Sequence, residues 1–244
     1  MTYHCPPGKW RKAELNLGEF EAKISYNFKN RKLLETALTH SSYAREHDLG
    51  NYKCNERLEY LGDAYLDAIV GLALFEKMPH VREGVLSKTR SLVVCEDSLA
   101  IVAKKIEIGK FLMLGVGEEK SGGREKKSIV ADATEALIGA IFLDGGYYAA
   151  SDFVLREFRQ LLKDAAAGRL VSDYKTTLQE ILQQDGRMHE IVYRIDKTEG
   201  PDHDKVFYVT LVLEGKEMGY GKGKTKKEAE QKAARMTMEG GYLD

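Results

Sequence analysis

Apolar residues in the first two thirds of the chain recur at helical spacing. Leu33, Leu34, Ala37 and Leu38 fall at i, i+1, i+4 and i+5, and Leu58, Leu61, Tyr65, Leu66 and Ile69 keep the same rhythm. Further helices are predicted over Val85 to Ile106, Ile129 to Leu143 and Tyr148 to Leu162. Strand signals are nearly absent here, so this part reads as all-α. After the small, flexible run Ala165-Ala166-Ala167-Gly168 the texture changes. A short helix, Tyr174 to Gln184, precedes three β-like runs, Ile191 to Ile195, Val206 to Leu213 and Gly215 to Gly221. A last helix, Thr225 to Met238, carries Ala229, Ala233, Ala234 and Met236 as its apolar positions. The order α-β-β-β-α is that of a small α+β domain. The expected organisation is an N-terminal extension over 1–16, an all-α domain over 17–164, a linker over 165–172 and an α+β domain over 173–244.

Composition narrows the possibilities. The 244 residues carry 37 basic and 38 acidic side chains, a net charge of -1, so any surface for nucleic acid has to be local. Cys5, Cys54 and Cys95 form no CxxC pair, which argues against a disulfide framework or a thiolate zinc site and fits a reducing cytosol. The first residues lack a signal peptide's apolar stretch, and nowhere do apolar residues run long enough to span a bilayer. A cytoplasmic protein without membrane attachment is expected.

The densest polar feature is NERLEYLGD, residues 55–63. On a helix Glu56, Glu59 and Asp63 share one face, while Leu58, Leu61, Leu66 and Ile69 must pack inward. Arg57 is the only cation between Glu56 and Leu74, so little offsets the repulsion between like charges a turn apart. Asp132 and Glu135 form a second pair at i, i+3 on another apolar helix. Two such helices packed face to face would make an all-oxygen site, which suits Mg²⁺ or Mn²⁺ and not zinc. A solvated acidic stripe gives the same spacing, and spacing alone leaves both readings open. A carboxylate-bridged di-iron centre is excluded, because Gly62 and Ile138 stand where Glu-x-x-His needs histidine. Asp144, in an LDGG run, is expected to act as a helix stop.

The second dense feature is GYGKGKTKKEAEQKAA, residues 219–234. It imitates a phosphate-binding P-loop, but Met218 occupies the position of that motif's first glycine, so no nucleotide cofactor is expected. What remains is a cationic helix start, with six basic residues against two acidic ones from Lys222 to Arg235. Thr176, Gln179, Glu180 and Gln183 line one polar helix face opposite Leu178, Ile181 and Leu182. Such groups suit ribose hydroxyls and base edges in a shallow RNA minor groove, and are also ordinary for any exposed helix face. The loop Gly200-Pro201-Asp202-His203 offers a third contact or a simple turn.

Together these segments resemble bacterial ribonuclease III. NERLEYLGDA is similar to that family's nuclease signature, and ADATEALIGAIFLDGG to its second acidic segment. THSSYA at 39–44 and LGVGEEKSGGREKKSI at 114–129 are similar too. YKTTLQEILQ, GPDH and GKGKTKKEAEQKAA resemble a double-stranded-RNA-binding domain. The resemblance runs from about Ile24 to the end of the chain. It implies an all-α ribonuclease III nuclease domain followed by an α-β-β-β-α binding domain.

The resemblance also implies roles. Glu59, Asp132 and Glu135 would hold a catalytic Mg²⁺, with Mn²⁺ able to substitute, and Asp63 and Glu135 would be the catalytic carboxylates. Glu56 would support structure and RNA contacts. The family dimerises through the signature helix, which makes Tyr60, at a position where Phe is common, a dimer contact. Thr176, Gln179, Glu180, Gln183, His203, Lys226 and Lys227 would touch RNA, and Glu230 stands where many such domains carry Lys. The implied activity is Mg²⁺-dependent hydrolysis of double-stranded RNA by a homodimer. It would leave 5′-phosphate and 3′-hydroxyl ends with a short 3′ overhang, in processing of ribosomal RNA precursors and other structured transcripts. A non-catalytic duplex-RNA-binding relative would be expected to have lost one of the four matched carboxylates, and all four are present.

Overall fold

The computed structural model describes residues 16–50, 52–170, 173–183, 190–201 and 205–240. The chain divides into two compact units, Met1–Leu170 and Val171–Asp244. In the first, α1 (Leu17–Lys23), α2 (Arg31–Ala37), α3 (Ser41–Glu46), α5 (Glu83–Val93), α6 (Glu96–Lys105), α7 (Val116–Lys120) and α9 (Arg159–Ala166) surround two long helices, α4 (Glu56–Lys77) and α8 (Lys127–Glu157). Among the described elements, α4 and α8 pack against each other most extensively. Leu66, Ile69 and Leu74 of α4 and Leu137, Ile138 and Ile141 of α8 are fully or almost fully buried in one core. That is the apolar rhythm expected from the sequence.

The crossing of α4 and α8 is set by two glycines. A Cβ on Gly62 would lie 1.8 Å from the Glu135 carbonyl oxygen, and one on Gly139 would lie 2.3 Å from that of Leu58. The helices therefore meet backbone to backbone, each glycine seated against the other helix.

The expected helix Tyr148 to Leu162 is divided between α8 and α9, and two further corrections of helix extent have a visible cause. The predicted helix over Val85 to Ile106 is two helices, α5 and α6, parted at Cys95, whose backbone is extended (φ -72°, ψ 160°). The β-branched pair Val93-Val94 weakens the ladder there, and the Ser98 hydroxyl donates to the Leu92 carbonyl at 2.7 Å. The break in α8 falls at Gly146 (φ 79°), two residues past Asp144. The Asp144 carboxylate instead accepts the Tyr26 hydroxyl at 2.8 Å and the backbone N–H groups of Lys29 and Asn30 at 3.0 and 2.8 Å. It clamps the chain just before α2 onto α8.

The second unit holds α10 (Tyr174–Gln183), β1 (Ile191–Glu199), β2 (Val206–Leu213), β3 (Lys216–Gly223) and α11 (Lys226–Glu239). Its antiparallel sheet has the order β1-β2-β3. β1 runs on to Glu199, beyond the expected end at Ile195, because a bulge between Ile195 and Lys197 breaks the alternation. At the bulge and beyond it the strand is held from β2: Thr210 donates to Asp196, and the Tyr208 hydroxyl donates to Glu199 at 2.8 Å. α10 and α11 cover the sheet around Leu178, Val209, Leu211, Ala229, Ala233 and Ala234. α11 lies so close to β3 that a Cβ on Gly221 would sit 1.8 Å from the Ala229 carbonyl oxygen. Thr225, expected inside the helix, is its N-cap and accepts the Glu228 N–H at 3.1 Å.

Candidate metal centre and nucleic-acid interface

The α4–α8 crossing brings the two acidic segments together. One carboxylate oxygen from each of Glu59, Asp132 and Glu135 lies within 4.8 Å of the other two. All three side chains are half-buried. Packing of Gly62 against the backbone of Glu135 itself makes the close approach possible.

The three carboxyls resist ionisation together. Glu135 is pushed up to about 8, first by burial and then by Asp63, Glu59, Asp132 and Asp67. Glu59 is raised by burial and then by Asp132, Glu56 and Asp63. Asp132 is raised by burial and by Glu96 at the start of α6, with His40 pulling the other way. Structural carboxylates elsewhere behave oppositely: hydrogen bonds from Gln231 and Thr176 hold Asp173 down at about 2. Oxygen donors, mutual repulsion and partial burial fit a hard divalent cation, which would neutralise the cluster and keep waters of its own.

Asp63 and Glu56 are exposed on α4 and lie outside this triangle. Asp63 is the strongest charged influence on Glu135. Tyr60 is 80% exposed, so it takes no part in the core of the domain. It begins a row of exposed residues one turn apart, Tyr60, Ala64, Ala68 and Leu72, that continues to Phe75. Sequence reasoning did not mark Gly62, Gly139, His40 or Glu96 as builders of the site. Glycine inside an amphipathic helix signals a close approach, and Gly62 and Gly139 carried that signal.

In the second unit, Gln179 and Gln183 of α10 are exposed, as is Glu180. Thr176 is exposed too, with its hydroxyl donating to Asp173 at 2.9 Å at the start of α10. Lys226 and Lys227 occupy the first turn of α11, exposed and, among the described residues, without an ion-pair partner. Their neighbour Lys232 is bound to Glu228 at 2.6 Å. Glu230 is bound to Lys175 at 2.6 Å, so its charge is neutralised within the domain. His203 lies outside the described residues. Among the described residues no helix is long and apolar enough to cross a membrane.

Comparison with known proteins gives the same division. Residues 30–162 match the family described as ribonuclease-III-like, and residues 174–239 match the double-stranded RNA binding motif. The chain is 45% identical over 226 residues to ribonuclease 3 of Clostridium perfringens, covering 93% of this chain and 94% of that one. It is equally identical over 225 residues to ribonuclease 3 of Clostridium tetani, covering 92% and 94%. A solved nuclease domain of ribonuclease III from Campylobacter jejuni, described as flexible in a region involved in dimer formation, superposes with a TM-score of 0.56 at 43% identity. That match covers 59% of this chain and 97% of the other. The chain belongs to the ribonuclease III family and is an endoribonuclease specific for double-stranded RNA.

Proposed function

We propose that Glu59, Asp132 and Glu135 hold Mg²⁺, replaceable by Mn²⁺, and that the chain hydrolyses phosphodiester bonds of duplex RNA to 5′-phosphate and 3′-hydroxyl ends with a short 3′ overhang. The observation that carries this reading is the meeting of three half-buried carboxylates from two helices within 4.8 Å. When bound, the cation supplies an activated water and stabilises charge developing on the phosphate. Glu59 on α4 and Asp132 and Glu135 on α8 orient the oxygen donors, and Gly62 and Gly139 fix the distance between the two helices. Asp63, exposed on α4 and the strongest charged influence on Glu135, is the remaining catalytic carboxylate and would take up a proton of the attacking water. Glu56, also exposed, supports RNA contacts at the entrance.

A carboxylate cluster repels a polyanion, so affinity falls to the second unit. Thr176, Gln179, Glu180 and Gln183 on α10, His203 in the sequence between β1 and β2, and Lys226 and Lys227 at the start of α11 grip the duplex. They read its A-form shape over about 16 base pairs. Two copies pair through the exposed row from Tyr60 to Phe75, so that each supplies one cleavage site. The nuclease domain spans 17–164, a linker 165–172 and the binding domain 173–244, with 1–16 as an extension. Cytoplasmic ribosomal RNA precursors and other structured transcripts are the substrates.

Replacing Lys226 and Lys227 together with alanine is expected to weaken duplex binding alike on unrelated sequences. It should also flatten the slope of log K against log salt by about 1.5 to 2, as measured by filter binding across a salt series. The catalytic reading is tested by incubating long duplex RNA with the chain in Mg²⁺, in Ca²⁺ and in EDTA, beside an Asp63→Asn variant. Short duplex products in Mg²⁺ alone, absent with the variant, support it. Retarded but intact duplex in every lane, or cleavage that survives EDTA, contradicts it.

A further inference from the structure

His40, in the THSS segment, lies beside the start of α4 without belonging to the carboxylate cluster. Its backbone is pinned on two sides: His40 N–H donates to the Met113 carbonyl at 3.0 Å, and the Thr39 carbonyl accepts the Asn55 N–H at 2.8 Å. Asn55 immediately precedes α4, so His40 is fixed against the start of the helix that carries Glu59. The half-buried imidazole caps α3, with Nδ1 accepting the Ser42 N–H at 3.2 Å and lying 2.8 Å from the Ser42 hydroxyl. The Ser42 oxygen in turn accepts the Gly115 N–H at 2.9 Å. With Nδ1 committed as an acceptor, the ring proton of the neutral imidazole sits on Nε2. Among the described residues the hydrogen bonds of the ring all run through Nδ1, and none reaches Nε2. An imidazolium at this position would draw Asp132 on α8 and Glu118 on α7 down, so the ring lies within electrostatic reach of both carboxyls.

We propose that His40 is a substrate-contacting residue whose fixed Nε2–H donates to a phosphate oxygen of the RNA strand entering the carboxylate cluster. This rests on the nuclease reading above. Around the cluster the neighbours are mostly carboxylates, which repel the strand. An Nε2–H donor fixed by the Ser42 N–H on Nδ1 offers that strand a hydrogen bond without competing for the metal's oxygen ligands. Charge-assisted hydrogen bonds of this kind are the strong ones. The effect belongs in kcat more than in KM, because duplex affinity comes from the second unit.

Two isosteres separate this role from a structural one. In His40→Asn the amide oxygen takes the place of Nδ1 and keeps the cap on α3, with nothing at Nε2. In His40→Gln the amide nitrogen takes the place of Nε2, and the cap is lost. The expected result is a crossing. His40→Asn keeps the melting temperature of the parent and loses about 10- to 100-fold in kcat, whereas His40→Gln melts lower and recovers kcat to within about threefold. In the full chain with ¹⁵N-labelled histidine, the His40 Nε2–H resonance, assigned by its absence in the Gln variant, is expected to shift downfield on adding duplex RNA with non-catalytic Ca²⁺. Activity that tracks melting temperature, equal kcat in both variants, or a resonance unmoved by duplex would each overturn the proposal. Those failures leave a cleaving parent enzyme. Failure of the parent to cleave in Mg²⁺ would overturn the nuclease reading and this inference with it.

Discussion

A Glu135→Gln chain is expected to bind duplex RNA as the parent does and to cleave it at least about a thousandfold more slowly in Mg²⁺. The substitution keeps size and packing on α8 but removes one of the three charges that face each other across the helix crossing. A lost metal ligand is worth several kcal/mol of transition-state charge stabilisation, which is about three decades in rate. The same variant carries a second signature with the metal removed. Glu135 ordinarily ionises near 4.5 and here does so near 8, so the folded chain holds this proton more tightly than the unfolded chain. Stability from that proton is complete below pH 4.5 and is lost as pH rises through about 8. In EDTA the parent is therefore expected to lose stability over that window, beyond whatever its other groups contribute. Glu135→Gln removes this component. After discounting for partial solvent exposure of the carboxyl, the variant gains about 1–2 kcal/mol at pH 8, or about 2–8 °C in melting temperature. Mg²⁺ reverses the order, since it stabilises the parent by binding to it and has lost a ligand in the variant. Thermal melts at pH 5 and pH 8, with EDTA and with Mg²⁺, check all four arms.

Gly62→Ala is expected to slow cleavage about a hundredfold although every carboxylate is retained. Its Cβ would stand 1.8 Å from the Glu135 carbonyl oxygen, where ordinary contact begins near 3.4 Å, and the obstacle is backbone. α4 and α8 must part, at a cost of about 3 kcal/mol or a loss of about 6–12 °C in melting temperature. Separation displaces Glu59 from Asp132 and Glu135, and a shift of about an ångström in such a constellation costs about a hundredfold in rate. The control is Gly71→Ala on the same helix, whose Cβ would meet only the Arg90 side chain at 3.7 Å. It should cleave normally and melt slightly higher, by the roughly 0.5–1 kcal/mol that alanine gains over glycine in a helix. Equal behaviour of the two variants would show that the close crossing does not govern the site.

The helical and α+β halves were legible because burial imposes a period, and Leu58 to Leu74 and Ile129 to Ile141 keep theirs without interruption. The carboxylate spacing was legible for the same reason: residues one turn apart share a face. What spacing could not convey was distance between elements. Whether Glu59 meets Asp132 depends on how closely two helices cross, and that is decided by glycines whose lack of a side chain leaves no apolar signal. Gly221 under α11 is a second instance, where the last glycine of an expected β run is the imprint of a helix on a strand. Local breaks were hidden wherever a side chain replaces a backbone partner, as Ser98 does between α5 and α6 and Asp144 does ahead of α2. His40 was invisible as a site residue because its place depends on bonds to Met113 and Ser42 rather than on any period.

Anomalous diffraction from crystals of the full chain grown with Mn²⁺ tests the central claim most directly. The account predicts a peak at about 2.0–2.3 Å from carboxylate oxygens of Glu59 on α4 and of Asp132 and Glu135 on α8, lost in Glu135→Gln crystals. Crystals of an enzyme that cleaves duplex RNA, with strong Mn²⁺ peaks elsewhere and none between these two helices, would contradict it.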